Sequence, residues 1–478
     1  MLLKRLIVAG LLAAASPLMW ACSGDDGDDT AGGDGADPTD DAEPEVNADD
    51  GAAAGSAAED SEPEATEFRV RIENVSAAQY MGAGVLNTPS GADEPGPLMP
   101  GASYEASFHA APGAQLSFAT MFVHSNDLFY APAAGGIALF DDDGTPIDGD
   151  VTDQVMLWDA GSEVNQEPGT GADQALRQSG LDTGADDDDD SVRLARDDFD
   201  HLPATEDVLR VTVSGAAGNL FTLTIEIVSS ETTLMAGGET LAVPLAPGVF
   251  VVHPEGMAPL FTEGEADRGD GLAALAEDGD PSGLAEVISE GVGLASPLAP
   301  GVWAVHAADM QAFFEDGQPD RGDGLEMLAE DGSPGDLLMA MAALDVAVVV
   351  FDTPDGADDP GPALPGGAYE FEVTAMPGDV LSFATMLVQS NDLFFAPEAG
   401  GIAFFDGETP VSGDVTSQVF LWDAGTELNQ YPGAGPDQAP RQSSPDTGEA
   451  EDGPVVMVDD DFEYPAVDRL VRVEITPL

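Results

Sequence analysis

Ser117 to Pro132 reads SFATMFVHSNDLFYAP and returns as SFATMLVQSNDLFFAP from Ser382 to Pro397, with thirteen of sixteen positions identical. A repeat at a constant offset of 265 residues is too long for a solenoid unit and about the size of a whole domain, so two related domains are expected. Each copy centres on Ser-Asn-Asp, at 125–127 and at 390–392. A carboxylate set in a Phe/Met/Leu/Val run needs a specific partner.

Outward from this stretch the copies run in parallel. Tyr104 to Phe108 and Tyr369 to Val373 alternate as half-buried strands, and a Pro-Gly turn (Pro112-Gly113, Pro377-Gly378) delivers the repeated stretch. Beyond it lies a second shared motif, Trp-Asp-Ala-Gly-[Ser/Thr]-Glu, at 158–163 and 422–427. The alternating strands Phe68 to Ser76 and Phe221 to Ser229 open the copies, and Val208 to Val213 and Leu470 to Ile475 close them. Short strands at turn-punctuated spacing, without βαβ alternation, predict an all-β protein of two tandem antiparallel β-sandwiches. The boundaries read 67–214 for the first domain and 220–478 for the second.

Residues 244–341 are themselves duplicated at an offset of 53: PLAPGVFVVH from Pro244 recurs as PLAPGVWAVH from Pro297, and RGDGLAALAEDGDP from Arg268 as RGDGLEMLAEDGSP from Arg321. Each unit reads as a strand, a loop and a short helix (Leu272 to Glu277, Leu325 to Glu330) stopped by Gly279 or Gly332. On this reading the first domain lacks the insert and the second carries it twice.

Charge narrows the partners. Over 478 residues, 13 Lys+Arg face 91 Asp+Glu for a formal net charge of −78, and Lys4 is the only lysine. Such a surface repels phosphate backbones and anionic lipid, so no nucleic-acid partner is expected, nor a polybasic membrane patch. It suits divalent cations, or a salty medium that screens self-repulsion.

Residues 1–21 read as a lipoprotein-type signal peptide, with Lys4-Arg5 before the apolar run Leu6 to Ala15. Ala21 then directly precedes Cys22, the expected lipidation site; an ordinary secretory leader with an incidental cysteine is the alternative. Cys22 has no second cysteine to pair with, so disulfides do not stabilise the fold. Residues 22–66 are Asp, Glu, Gly, Ala and Pro with almost no large apolar side chain, an acidic tether expected to be disordered. The expected location is the cell surface or outer membrane, with membrane contact through the lipid anchor only.

The Ser-Asn-Asp-Leu-Phe motif (125–129, 390–394), the Trp-Asp-Ala-Gly-[Ser/Thr]-Glu motif (158–163, 422–427), and the Pro-Leu-Ala-Pro-Gly-Val-Trp-Ala-Val-His and Gly-Leu-x-x-Leu-Ala-Glu-Asp-Gly blocks of the insert resemble the spondin N-terminal domain family. The resemblance runs from residue 67 to the end. It implies a C2-like β-sandwich with a calcium site, and adhesion or matrix roles known from the eukaryotic members. Family members carry acids as calcium ligands where this chain has Asp127, Asp159 and Glu163, and Asp392, Asp423 and Glu427, most of them with Asp where Glu163 and Glu427 stand.

The residues themselves are compatible with that site. Ca²⁺ takes about six to eight hard oxygen ligands, usually several loop carboxylates, and a Gly-containing turn brings Asp159 and Glu163, or Asp423 and Glu427, toward one point. The alternative is that these acids only hydrogen-bond turn amides. Asp141-Asp142-Asp143-Gly144 and the Asp186 to Asp190 run read as a turn and as solvated acid. The Arg-Gly-Asp triplets at 268–270 and 321–323 lie where a turn before a helix is expected, His253 and His306 read as packing residues, and Trp158 and Trp422 as core anchors. No nucleophile-elbow, zinc-protease or phosphate-loop pattern is present.

The expected function is therefore that of a non-enzymatic, exported, calcium-binding adhesion or matrix protein with an extracellular matrix or polysaccharide ligand. An extracellular carbohydrate-active enzyme with structural calcium is one alternative, and an acidic coat protein adapted to high salt another.

Overall fold

The computed structural model describes residues 64–199, 201–344 and 346–478. The expected signal peptide, Cys22 and all but the end of the tether lie outside the described residues. Strand accounts for 36% of the residues and helix for 12%, so the chain is all-β, with its antiparallel sheets in two sandwich-like groups. Both groups belong to one compact unit.

The first sandwich faces a small sheet with a large one. The small sheet has the order β3 (Ser103–His109), β11 (Leu220–Ile227), β10 (Leu209–Ala216), β7 (Asp148–Asp150). The large sheet has the order β2 (Gly82–Leu86), β14 (Leu245–Pro254), β4 (Ala114–Phe122), β5 (Leu128–Pro132), β8 (Val155–Asp159), β9 (Arg193–Leu194), with β6 (Ile137–Ala138) on β4. A single helical turn α1 (Thr205–Val208) leads into β10, and the hairpin β12 (Leu234–Ala236) and β13 (Glu239–Leu241) bridges β11 to β14.

The second sandwich repeats this order. Its small sheet is β17 (Ala368–Ala375), β1 (Thr66–Asn74), β26 (Val471–Pro477), β23 (Gly413–Asp414). Its large sheet is β16 (Ala347–Phe351), β15 (Leu298–Ala307), β18 (Asp379–Leu387), β19 (Leu393–Pro397), β24 (Val419–Asp423), β25 (Val456–Met457), with β20 (Ile402–Ala403) on β18. A hairpin of β21 (Phe405–Asp406) and β22 (Thr409–Pro410) follows β20.

This topology corrects the expected domain boundaries. Strand β1, read as the start of the first domain, lies in the second sandwich between β17 and β26. Strand β11, read as the start of the second domain, lies in the first between β3 and β10. The expected break at 214–220 falls inside the β10–β11 hairpin. The insert is also shared out, one copy to each sandwich, and its strand is no edge addition: β14 sits between β2 and β4, and β15 between β16 and β18. The first sandwich is thus inserted in the second, between β1 and β15.

Cross-strand chemistry explains the exchange. Both β1 and β11 alternate apolar residues inward, so burial alone does not distinguish them. Outward, Arg69 and Arg71 of β1 stand opposite Glu372 and Glu370 of β17, with Arg69 3.1 Å from each carboxylate. On β11 the corresponding outward residues are Thr222 and Thr224, opposite Ser107 and Glu105 of β3, and Thr222 and Ser107 share a 3.2 Å hydrogen bond. Opposite-charge and hydroxyl pairs each stabilise their own register by up to about 1 kcal/mol. Beyond the strands, Ser76 Oγ donates to Ser296 O at 3.1 Å as Ser229 Oγ donates to Val243 O at 2.7 Å, fixing each strand to its own insert copy.

Each large sheet is covered on both faces, which is why its central strand reads as a mostly apolar run rather than an alternating one, broken by the buried Ser117 and Thr120 in β4 and Ser382 and Thr385 in β18. In the first sandwich Phe118 and Phe122 point into the core with Tyr104, Phe221 and Val252. Ala119, Phe129 and Trp158 pack outward against Phe261 and the helices α2 (Leu272–Asp278) and α3 (Ser282–Glu290). Helices α4 (Leu325–Asp331) and α5 (Gly335–Ala342) cover the second sandwich the same way. Among the described residues no helix is long and apolar enough to cross a membrane.

Candidate metal centre

Three loops and one helix end meet at the same edge of each large sheet. The Ser-Asn-Asp turn between β4 and β5 is shaped by its serine, whose Oγ donates to Phe122 O at 2.6 Å and accepts from Leu128 N at 3.0 Å. Asn126 ties the turn to the next loop, donating to Val164 O and accepting from Gln166 N, both at 3.2 Å. Asp127 faces inward and is fully buried. Its Oδ2 accepts from the Glu163 amide at 3.1 Å, whereas Oδ1 has no hydrogen-bond partner. Asp392 repeats this, with Oδ2 accepting from the amides of Thr426 (2.8 Å) and Glu427 (3.1 Å) and Oδ1 again unpartnered.

Asp159 and Asp423 behave differently from the expected ligands. Asp159 Oδ1 accepts from Gly161 N at 2.7 Å, while Oδ2 accepts from Asn165 Nδ2 at 2.7 Å and pairs with Arg193 at 3.1 Å. Asp423 accepts from Gly425 N at 2.7 Å and from Asn429 Nδ2 at 2.5 Å. With both oxygens engaged, these two carboxylates build the turn, which is the alternative role considered for the set.

Glu163 and Glu427 instead join acids that the motif reading did not single out. One oxygen each of Glu163, Asp182 and Glu277 lie within 4.8 Å of one another, and so do those of Glu427, Asp446 and Glu330. Glu277 and Glu330 lie in the last turn of α2 and α4 and are only 6% and 3% exposed. Asp182 and Asp446 have φ of 50° and 55°, two of the three non-glycine residues in the left-handed region among the described residues. Strained backbone at equivalent points of both sandwiches is the kind that clusters at functional sites. Two residues on, the amides of Gly184 and Gly448 donate to Glu163 and Glu427 at 2.7 and 2.8 Å. A Cβ at Gly184 would lie 2.0 Å from Glu163 Cδ, and one at Gly448 2.1 Å from Glu427 Oε2, so only glycine permits this approach.

The clusters are electrostatically incomplete. Burial pushes the Asp127 and Asp392 carboxyls upward, and the charges of Asp159 and Asp423 add to it. Burial also raises Glu277 to about 7 and Glu330 to about 8, reinforced by the neighbouring charges of Glu163 and Glu427. The helix C-terminus opposes negative charge at both glutamates. A divalent cation would offset this accumulation of negative charge.

The donor set fits such an ion. Oxygens within 4.8 Å of one another match the span across a Ca²⁺ whose ligands lie at about 2.4 Å. Neither cluster holds His or Cys, which points to a hard cation rather than zinc. Glu163, Asp182 and Glu277 would hold one ion and Glu427, Asp446 and Glu330 the other, while the expected ligands Asp127 and Asp392 fall outside both groups and bond the Glu163 and Glu427 amides instead.

The helix glutamates carried a legible signal, because the offset-53 units repeat Leu-Ala-Glu-Asp-Gly, and Asp182-Thr183-Gly184 recurs as Asp446-Thr447-Gly448. Beside the turn aspartates the two sandwiches differ: Arg193 stands opposite Asp159, and Val456 opposite Asp423.

The remaining candidates have structural roles. Arg268 and Arg321 of the Arg-Gly-Asp triplets bond back to Pro259 O (3.1 Å) and Gln311 O (3.0 Å), anchoring their own loops. His253 and His306 pair with Ser117 and Ser382 at 2.9 and 2.8 Å, buried within the large sheets. Trp158 and Trp422 donate to Ala131 O and Ala396 O at 3.1 Å and are buried. Asp141 accepts from Asp143 N and Thr145 N and so closes a turn. Cavities of about 230 and 460 Å³ lie between the sandwiches, lined by Met81, Leu294 and Tyr431 and by no carboxylate of either cluster.

No protein-family model matches the chain, and no curated protein is significantly similar to it.

Proposed function

We propose that this is an exported, lipid-anchored, non-enzymatic surface protein whose two sandwiches each bind calcium at one loop end. The observation that carries the reading is the pair of equivalent carboxylate clusters, each of two buried glutamates and one exposed aspartate, with a buried glutamate oxygen in each, Glu163 Oε2 or Glu330 Oε2, that has no hydrogen-bond partner. Calcium would cross-link the Asp-Ala-Gly turn, the Asp-Thr-Gly loop and the helix end, with the Ser-Asn-Asp turn joined to them through the Glu163 and Glu427 amides on Asp127 and Asp392, converting three loops into one stiff surface. That surface suits adhesion or matrix attachment, and two copies in one unit add avidity for a repetitive ligand such as a polysaccharide.

The motif resemblance to spondin N-terminal domains and the −78 net charge support the same reading. The leader, with Cys22 as the lipidated residue, supports attachment at the outer membrane or cell surface. Calorimetric calcium titration of the EDTA-stripped protein tests the metal, and glycan-array binding with and without calcium tests the ligand class. Calcium-dependent heat and glycan binding are expected; glycan binding indifferent to calcium counts against the adhesive role, and absent calcium heat against the sites.

A further inference from the structure

Resting on the carbohydrate-ligand reading above, we propose that the cleft between the two sandwiches takes that ligand, a neutral sugar chain seated across two adjoining chambers. The cavities of about 230 and 460 Å³ share Met81, Gly293, Leu294, Tyr431 and Pro432 in their walls, so they adjoin as parts of one cleft. Together they fall within the roughly 300–1,000 Å³ of small-molecule sites. An aromatic wall crosses the joint: the ring of His109, from β3, stacks on Tyr431 at 4.1 Å and 12°, and Phe462 meets Tyr431 edge-on at 5.9 Å. Asn219 Nδ2 donates to Ala434 O at 2.7 Å and pins the Tyr431 loop to the first sandwich.

The lining decides the ligand class. Among the described residues no Asp, Glu, Lys or Arg lines the first chamber, although the chain carries 91 Asp+Glu. Burial lowers the His109 pKa, so that ring is neutral at pH 7. The second chamber adds Glu463 and Arg469, one charge of each sign. Such a lining offers little to a cation, and the −78 net charge repels an anion. A purely apolar ligand is disfavoured because it would strip water from polar groups without replacing it. Gln389 Oε1 accepts from Arg441 at 2.9 Å while its Nε2 has no partner, and the Gln79 amide and Tyr431 hydroxyl make no hydrogen bond among the described residues. Unpartnered amides and a hydroxyl around an aromatic wall match the hydroxyls and the C–H face of a pyranose ring. These residues also depart from the repeat: His109, Gln389 and Tyr431 have Thr374, His124 and Glu167 as counterparts in the other copy. Tyr431 follows Glu427 in the same loop, so calcium there would steady the wall that the sugar meets.

Calorimetric titration in calcium buffer with cellobiose, maltose and lactose, beside digalacturonate as the acidic control, tests this on the wild type, Gln79→Ala and Tyr431→Glu. At least one neutral disaccharide is expected to bind, and digalacturonate is not. Gln79→Ala should weaken binding about 2- to 10-fold, the worth of one hydrogen bond, and Tyr431→Glu by more than about tenfold. Gln79 is exposed and its side chain holds nothing in place, so its result stands if Tyr431→Glu disturbs the joint. Calcium heat should be unchanged in Gln79→Ala. Sugar binding unchanged in Gln79→Ala overturns the cleft as the site and leaves carbohydrate binding elsewhere on the protein intact. Preference for digalacturonate overturns the neutral class. A wild type that binds none of the neutral disaccharides, and no neutral glycan on the array, overturns the carbohydrate reading as well, while calcium binding is judged by its own titration.

Discussion

The two sandwiches share a sheet order and an acid geometry, yet the first is one continuous run from β2 to α3 and the second is split around it. The central strand of the second small sheet lies before the whole first sandwich in the chain. Side-chain complementarity therefore outranks chain proximity here. Arg69 and Arg71 find two glutamates on β17, whereas β3 offers Glu105 and Ser107 at the matching positions.

The largest effect that could break this comparison is a truncation. Removing residues 1–75 takes Phe68, Val70 and Ile72, all fully buried, out of the second core. At about 1.5–3 kcal/mol for each of the three large side chains buried, the loss is roughly 4.5–9 kcal/mol, comparable to the stability of a whole domain. Calorimetry should show the second sandwich unfolded and the first retained. A fragment of residues 77–295 should fold, and one of residues 67–214 should not; the reverse result restores the boundary expected from the repeats.

Next in size is Gly448→Ala. The new Cβ drives Glu427 out of its amide contact and costs about 1–3 kcal/mol, with loss of the second calcium site only. Gly184→Ala should do the same to the first site only. Loss of both sites from either variant would show that the clusters are coupled.

The pH dependence sharpens the comparison further. In the folded, metal-free chain Glu277 and Glu330 hold protons to about 7 and 8, against an ordinary value of 4.5. The stability this contributes is fully present below about pH 4.5 and is lost as pH rises through 7 to 8. The EDTA-treated protein should melt progressively lower between pH 5 and 8, the loss extending to higher pH in the second sandwich. Glu277→Gln and Glu330→Gln should flatten the slope, and saturating calcium should reverse it. An unchanged slope in the double variant would assign the pH effect to general charge repulsion instead.

The smallest expected effect is symmetric. Ser117→Ala and Ser382→Ala each remove one buried hydrogen bond to a histidine, for about 1 kcal/mol apiece by thermal melting. Markedly unequal losses would mean that the two cores differ more than their sheet order implies.

The all-β class and the two acid-bearing repeats were legible in the sequence, because strand alternation and a 265-residue offset are local or self-evident signals. The strand exchange was not. Phe68 to Ser76 and Phe221 to Ser229 carry the same inward pattern, and only the outward pairs Arg69–Glu372 and Arg71–Glu370 separate them, a comparison that needs the register first. The site was half legible. Asp127 and Asp392 stand out as acids in an apolar run, but Glu277 and Glu330 end amphipathic helices, where a glutamate reads as solvated. Their burial follows from tertiary packing, with each helix laid on the outer face of its large sheet. Conversely, Asp159 and Asp423 have the motif of a ligand and the hydrogen bonds of a turn.

The most direct test is an anomalous difference map from crystals soaked in terbium, a calcium substitute with strong anomalous scattering. Peaks are expected among Glu427, Asp446 and Glu330 and among Glu163, Asp182 and Glu277. Peaks on Asp159 and Asp423 away from the helix glutamates, or no peak at saturating terbium, would contradict the metal centre built here.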